Sequence, residues 1–137
     1  MTFQNPADEQ IKQLLQQSKR IAVVGLSDKP TRTSYIVADV MRRAGYEIIP
    51  VNPVVDEVFG IKAVPSLKDV EGDIDIVNVF RRSEYLPDIA RETIDVGAKA
   101  FWAQLGIFNE EAFKLLKNNR IMTIMNRCIK VEYERLM

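Results

Sequence analysis

The residues of this chain best placed to do chemistry lie in one loop, Gly25-Leu26-Ser27-Asp28-Lys29-Pro30-Thr31-Arg32-Thr33-Ser34. It follows the apolar run Ile21-Ala22-Val23-Val24 and leads into a helical pattern. The first N–H groups of a helix have no partner inside it, so a strand, a tight turn and a helix start together form a cradle for an anion. Glycine at position 25 allows the turn and a close backbone approach. Ser27 and Ser34 supply hydroxyls, Lys29 supplies charge, and Arg32 can grip phosphate oxygens in a bidentate manner. The chemistry expected here is recognition of a nucleotide-like phosphate. The dinucleotide fingerprint G-x-G-x-x-G is absent, because Ser27 stands where its second glycine would be. An ordinary strand-to-helix turn with solvated charges fits the loop about equally well.

Four further clusters sit at strand ends. Val51-Asn52-Pro53 closes the second strand, where an NAD site usually has Asp or Glu for the ribose; Asn52 disfavours NAD but can donate to a ribose or an adenine. Phe80-Arg81-Arg82 closes the third. A basic surface pair is the plain alternative, but cations at a helix start oppose its dipole, which adds some weight to an anionic partner, and Phe80 can offer it a flat apolar surface. Gln104-Leu105-Gly106 closes the fourth, with Gln104 able to hydrogen-bond a polar ligand arm and Gly106 opening the backbone to it. Cys128 lies beyond the fifth. It is either an inert buried thiol or, with Arg127 lowering its pKa, a thiolate near the ligand. Trp102 reads as core, and Asp73 and Asp75 as surface turn residues.

The elements that must position these groups alternate. A first helix is expected to enter at Asn5-Pro6, with Asn5 as cap and Ile11, Leu14 and Leu15 as its apolar face. Strands are expected over residues 21–25, 46–51, 74–80, 98–103 and 120–125. Helices fall between them: Ile36 to Ala44 stopped by Gly45, Leu86 to Ile94 capped by Ser83 and stopped by Gly97, and one capped by Asn109. A short closing helix covers residues 131–136. Residues 52–70 read as mostly irregular, with a short strand around Lys62 and Ala63. Strands alternating with helices imply parallel β-α-β units and a doubly wound sheet, whose ligand sits outside the carboxyl ends of the strands.

Composition bounds the rest. A chain of 137 residues fits a single domain, residues 1–137. The 19 basic and 19 acidic residues cancel, which disfavours a nucleic-acid binder. No apolar run is long enough for a bilayer, and the polar residues 1–10 lack a secretory signal, so a cytoplasmic protein without membrane contact is expected. The chain contains no histidine and 1 cysteine. Histidine-based catalysis and a zinc site are therefore not expected, nor is any other metal centre.

Taken in order, Val24-Gly25-Leu26-Ser27, Arg32-Thr33-Ser34, Gly45-Tyr46-Glu47-Ile48-Ile49-Pro50-Val51-Asn52-Pro53, Ser66-Leu67, Val79-Phe80-Arg81-Arg82, residues 97–106 ending in Trp-Ala-Gln-Leu-Gly, and Asn126-Arg127-Cys128 span nearly the whole chain. This set resembles the small stand-alone CoA-binding proteins of bacteria and archaea, whose Rossmann-like domain is similar to the CoA-binding domain of the succinyl-CoA synthetase alpha subunit. The resemblance implies a five-stranded doubly wound parallel sheet of order 3-2-1-4-5 with helices on both faces. It implies coenzyme A or acyl-CoA as ligand, with the Gly25 loop near the pyrophosphate and residues 51–53 near the adenosine end. On that basis Gly25, Ser27 and Ser34 would meet the pyrophosphate, and Lys29, Arg32, Arg81 and Arg82 would neutralise it. Val51, Asn52 and Pro53 would hold the adenosine, and Phe80, Gln104 and Gly106 would border the pantetheine arm. Ligase activity does not carry over, because it depends on a histidine in a further domain and this chain has none. The expectation is a CoA-binding module without catalysis of its own. The alternatives are an NAD(H)-binding redox or metabolite sensor, an enzyme exchanging thiols between CoA and Cys128, and a scaffold whose carboxyl edge binds another protein.

Overall fold

The computed structural model describes residues 3–137. Of the polar N-terminal stretch considered above, Met1 and Thr2 lie outside the described residues. Five strands, β1 (Arg20–Val24), β2 (Glu47–Val51), β5 (Ile76–Val79), β6 (Ala100–Ala103) and β7 (Met122–Ile124), form one parallel sheet in the order β2-β1-β5-β6-β7. On the outer side of β2, Val64 makes a parallel bridge to Val51 and occupies the place of a third strand. Counted with it, the order from that edge is 3-2-1-4-5, and β7 extends the far side. Pro50 fits in β2 because its carbonyl faces this sparsely paired edge, where it accepts from the Val64 N–H at 3.0 Å.

Side chains along each strand alternate between two cores, so runs such as Ile-Ala-Val-Val are buried on both faces. One face carries Ile21, Val23, Ile48, Ile76, Trp102 and Ile124 against α1 (Asp8–Gln17), α2 (Thr33–Arg43) and α5 (Ile129–Leu136). The other carries Ala22, Val24, Val77, Val79 and Phe101 against α3 (Leu86–Asp95) and α4 (Glu110–Asn118). The helix after β1 and the helix after β5 thus lie on opposite faces, which leaves a crevice between the carboxyl ends of these adjacent strands. Among the described residues no helix is long and apolar enough to cross a membrane.

Several local expectations are corrected. Asn5 does not cap α1, which starts after Ala7. Its amide bridges Met125 both ways, donating to the carbonyl at 3.0 Å and accepting from the N–H at 2.9 Å. Ser83 opens a 3-10 turn (Ser83–Tyr85) ahead of α3, and its hydroxyl accepts from the Phe108 N–H at 3.0 Å. Asp75 is no loose turn residue. Its carboxylate accepts from the Lys19 and Arg20 N–H groups at 2.8 and 2.9 Å and pairs with Lys99 at 3.2 Å. The irregular stretch holds a two-stranded hairpin, β3 (Glu57–Val58) and β4 (Ile61–Lys62), turning on Phe59 and Gly60 with φ of 57° and 76°. Gly45, Gly97 and the Asn109 cap are where expected, the last accepting from the Ala112 N–H at 2.9 Å.

Candidate functional site

The β1-α2 turn is built from its own hydrogen bonds. The Gly25 N–H donates to the Val51 carbonyl at 2.8 Å, and the Ser27 N–H donates to Ser34 Oγ at 3.0 Å. Ser27 Oγ in turn accepts from the Lys29 N–H at 3.0 Å. These two amides and both hydroxyls therefore shape the loop. The backbone donors left over are one turn further on. Among the described residues the N–H groups of Thr33, Ser34 and Tyr35 have no protein acceptor, and no side chain caps this helix start. Gly25 is required for a different approach from the one expected. It adopts φ +87°, and a Cβ there would stand 2.6 Å from the Phe80 carbonyl oxygen. The close neighbour is the end of β5.

Asn52 is likewise engaged by the backbone. Its Nδ2 donates to the Leu26 carbonyl and its Oδ1 accepts from the Val54 N–H, both at 3.0 Å. It thereby ties the end of β2 to the β1-α2 turn. Val51 and Pro53 line a small cleft of about 120 Å³ with Val24, Pro65, Ser66 and Arg81.

Arg81 also lines the main cavity, of about 620 Å³. Thr33, Phe80, Arg82 and Ser83 wall it on the β1 and β5 side, and Gln104, Gly106, Ile107 and Cys128 on the β6 and β7 side. The Arg81 guanidinium stacks on the Tyr85 ring, 4.6 Å from its centre, which holds the charge over the crevice. Arg82 is exposed and meets Glu84 at 4.0 Å. Lys29 and Arg32 are exposed on the loop above.

The pairing of the other arginines makes this region stand out. Among the described residues every arginine except Arg32, Arg81 and Arg120 has a carboxylate within 4.0 Å. Two of these three flank the crevice, beside the three helix-start amides. The chain is neutral overall, yet two of its arginines without a carboxylate partner stand at one sheet edge.

The far wall is fixed by long-range hydrogen bonds. The Gly106 N–H donates to Asn126 Oδ1 at 2.7 Å, and Trp102 Nε1 donates to the Arg127 carbonyl at 2.9 Å from a fully buried ring. Gln104 is 4% exposed, with Oε1 accepting from Asn78 Nδ2 at 3.1 Å and from the Ile129 N–H at 3.0 Å. Of the two readings of Cys128, the one that enlists Arg127 finds that side chain engaged elsewhere. Its guanidinium binds the buried Glu132 carboxylate at 2.7 Å.

The structure thus brings Phe80, Arg81, Arg82, Gln104 and Gly106 to one cavity. It places Val51 and Pro53 in the adjoining cleft and Gly25, Ser27, Asn52 and Ser34 in the framework between. Thr33, Ser83, Leu105 and Ile107 also line the cavity and were not among the expected contacts. Thr33 was legible as the first helical position, whereas Ile107 carries no polar signal. Among the described residues no cluster of His, Cys, Asp or Glu is arranged to hold a metal ion.

Known proteins share this architecture. A Bacillus subtilis protein, "Uncharacterized protein YneT", is 59% identical over 131 residues, which cover 96% of this chain and 97% of that one. A "hypothetical protein from Pyrococcus horikoshii OT3" superposes with a TM-score of 0.92 at 36% identity, covering 99% of both chains. The acetate–CoA ligase (ADP-forming) of Methanocaldococcus jannaschii is 32% identical over 81 residues, 59% of this chain but only 12% of the ligase. The chain therefore corresponds to a small part of that enzyme. The CoA binding domain family matches residues 19–134, and the chain belongs to it.

Proposed function

We propose that this chain binds coenzyme A or an acyl-CoA along the carboxyl edge of its sheet, without catalysis of its own. The observation that carries this is the meeting of three acceptor-free helix-start amides with two arginines that lack carboxylate partners, at the mouth of a cavity. A pyrophosphate supplies the acceptors and charge these groups lack. The Thr33 to Tyr35 amides and Arg32 hold it, Arg81 lies between it and the cavity, and Lys29 and Arg82 add charge at the rim. Gly25, Ser27, Ser34 and Asn52 keep the turn in shape. The adenosine end lies by Val51 and Pro53, and the pantetheine arm runs past Phe80 toward Gln104 and Gly106. Adjacent strands are about 4.8 Å apart, so the β2 and β7 ends are separated by roughly 19 Å, a span suited to an extended cofactor.

Titration calorimetry with CoA, adenosine and NADH tests this. A charge-assisted hydrogen bond contributes about 1.5–3 kcal/mol, so Arg32→Ala and Arg81→Ala each weaken CoA binding by about 10- to 100-fold. Adenosine, which has no phosphate, is unaffected. NADH binds more weakly than CoA, since Asn52, which stands where an NAD site usually has an acidic residue, spends both ends of its amide on the backbone. Equal CoA curves for wild type and both variants would overturn the site.

A further inference from the structure

Gln104 has one half of its amide spoken for and the other half free. Oε1 faces a backbone N–H, that of Ile129, which can only donate, so the orientation of the amide is fixed. Nε2 has no acceptor among the described residues. Every fully buried side-chain nitrogen or oxygen among them has a partner, so Nε2 must open into the cavity that Gln104 lines. A side chain that is otherwise 96% enclosed thus presents an N–H donor and no acceptor (4% exposed). The cavity it lines carries the apolar side chains of Phe80, Leu105 and Ile107 and the Cys128 thiol, alongside the polar Thr33, Arg81, Arg82 and Ser83.

A donor in such surroundings is matched by a carbonyl oxygen flanked by hydrocarbon. A free thiol is a weak acceptor and leaves the donor poorly satisfied. Gln104 and Cys128 also stand at the β6 and β7 ends, on the side of β5 away from β2. Building on the CoA site proposed above, which puts the adenosine at β2, we infer that this part of the cavity reads the thioester of an acyl-CoA. Gln104 Nε2 donates to the thioester carbonyl, and Leu105 and Ile107 cover a short acyl chain. The preferred ligand is a short-chain acyl-CoA, with free CoA second.

Acetyl-CoA and S-ethyl-CoA have the same chain length and differ by the carbonyl oxygen, so calorimetry on the unmodified protein isolates this contact. Acetyl-CoA is expected to bind about 2- to 13-fold more tightly than S-ethyl-CoA, the value of one neutral hydrogen bond. Gln104→Met removes the difference. Gln104→Glu keeps an oxygen for Asn78 and Ile129, so it preserves the wall while replacing the donor, and it also abolishes the preference. Equal affinities of the two ligands for the wild type overturn the inference and leave the CoA site standing. A preference that survives both substitutions overturns the assignment to Gln104. If CoA, acetyl-CoA and S-ethyl-CoA all fail to bind, the underlying site falls with it.

Discussion

Replacing Gly25 with alanine tests whether this glycine is present for the ligand or for the sheet. Two costs arise from the geometry. The residue adopts φ +87°, and a side chain in left-handed backbone costs about 1–2 kcal/mol. The new Cβ also meets the Phe80 carbonyl oxygen at 2.6 Å and Arg81 Cδ at 3.1 Å. Arg81 can swing aside, but Phe80 cannot, because its N–H is bonded to the Val24 carbonyl at 2.8 Å as the last rung between β1 and β5. Crowding of this kind adds about 1–3 kcal/mol, giving roughly 2–5 kcal/mol in all against a usual total stability of about 5–15 kcal/mol. Gly106→Ala is the control. Its φ is +84° and nothing lies within 4 Å of its Cβ position, so only the backbone cost of about 1–2 kcal/mol applies. Urea unfolding followed by the fluorescence of the buried Trp102 measures both, and the two variants should share the wild-type slope. If Gly25→Ala is no less stable than Gly106→Ala, the clash with Phe80 does not govern this position, and the ligand-approach explanation regains its place.

Three further expectations concern the cavity, its cysteine and the ion pairs. Cys128, the only cysteine, lines the cavity, so saturating CoA should slow its alkylation by N-ethylmaleimide; an unchanged rate would move the ligand off the β7 side. Mass spectrometry after incubation with CoA disulfide tests thiol exchange directly, and absence of a mixed disulfide at Cys128 removes that alternative. Burial works against the charge on Glu132, but Arg135 and Arg127, at 2.6 and 2.7 Å, outweigh it and hold the carboxyl below its usual value of about 4.5. Because the folded pKa is the lower one, this stability is complete above that value and is lost as pH falls through the folded pKa. The urea midpoint should therefore drop on acidification below about 4.5, whereas Glu132→Gln should be less stable at pH 7 by about 1.5–3 kcal/mol and show a shallower drop. A midpoint equally pH-dependent in both proteins would refute the assignment.

What the sequence disclosed was local. Apolar runs such as Ile-Val-Asn-Val declare a strand buried on both faces, glycines 45 and 97 end helices in left-handed backbone, and Asn109 caps the helix beside it. What it concealed depends on partners distant along the chain. Asn5 reads as a cap by every neighbour it has, yet its amide is satisfied by Met125, 120 residues away. Asp75 resembles a turn residue until Lys19 and Arg20, at the entry to β1, present two N–H groups to it. Arg127 adjoins Cys128 in sequence, but the first turn of α5 brings Glu132 to its guanidinium instead. Of the hairpin at residues 57–62 only the second strand, around Lys62, was legible, because Phe59 occupies a left-handed position where Gly or Asn would have signalled a two-residue turn with Gly60. At the site, polar residues at strand ends were visible as types. Which atom each presents was not, since Gly25 and Ser27 spend their amides on the loop while Thr33 to Tyr35 keep theirs.

That division of donors explains how one edge can be both rigid and receptive. A loop that bound an anion through all its amides would have to be held open by something else in the free protein. Here the turn closes on itself through Val51, Ser34 and Leu26, so its shape is set before any ligand arrives. In the proposed complex, binding would incur little ordering cost, with the helix-start amides as a preorganised cradle. The same logic holds at the far wall. Asn78 and Ile129 fix Gln104 through its oxygen and leave its nitrogen facing the cavity. Arg81, stacked on Tyr85 and bordering both the small cleft and the main cavity, lies where these two fixed ends meet. A ligand with an anionic middle and a carbonyl at one end satisfies both ends at once, and a shorter phosphate compound satisfies only the first.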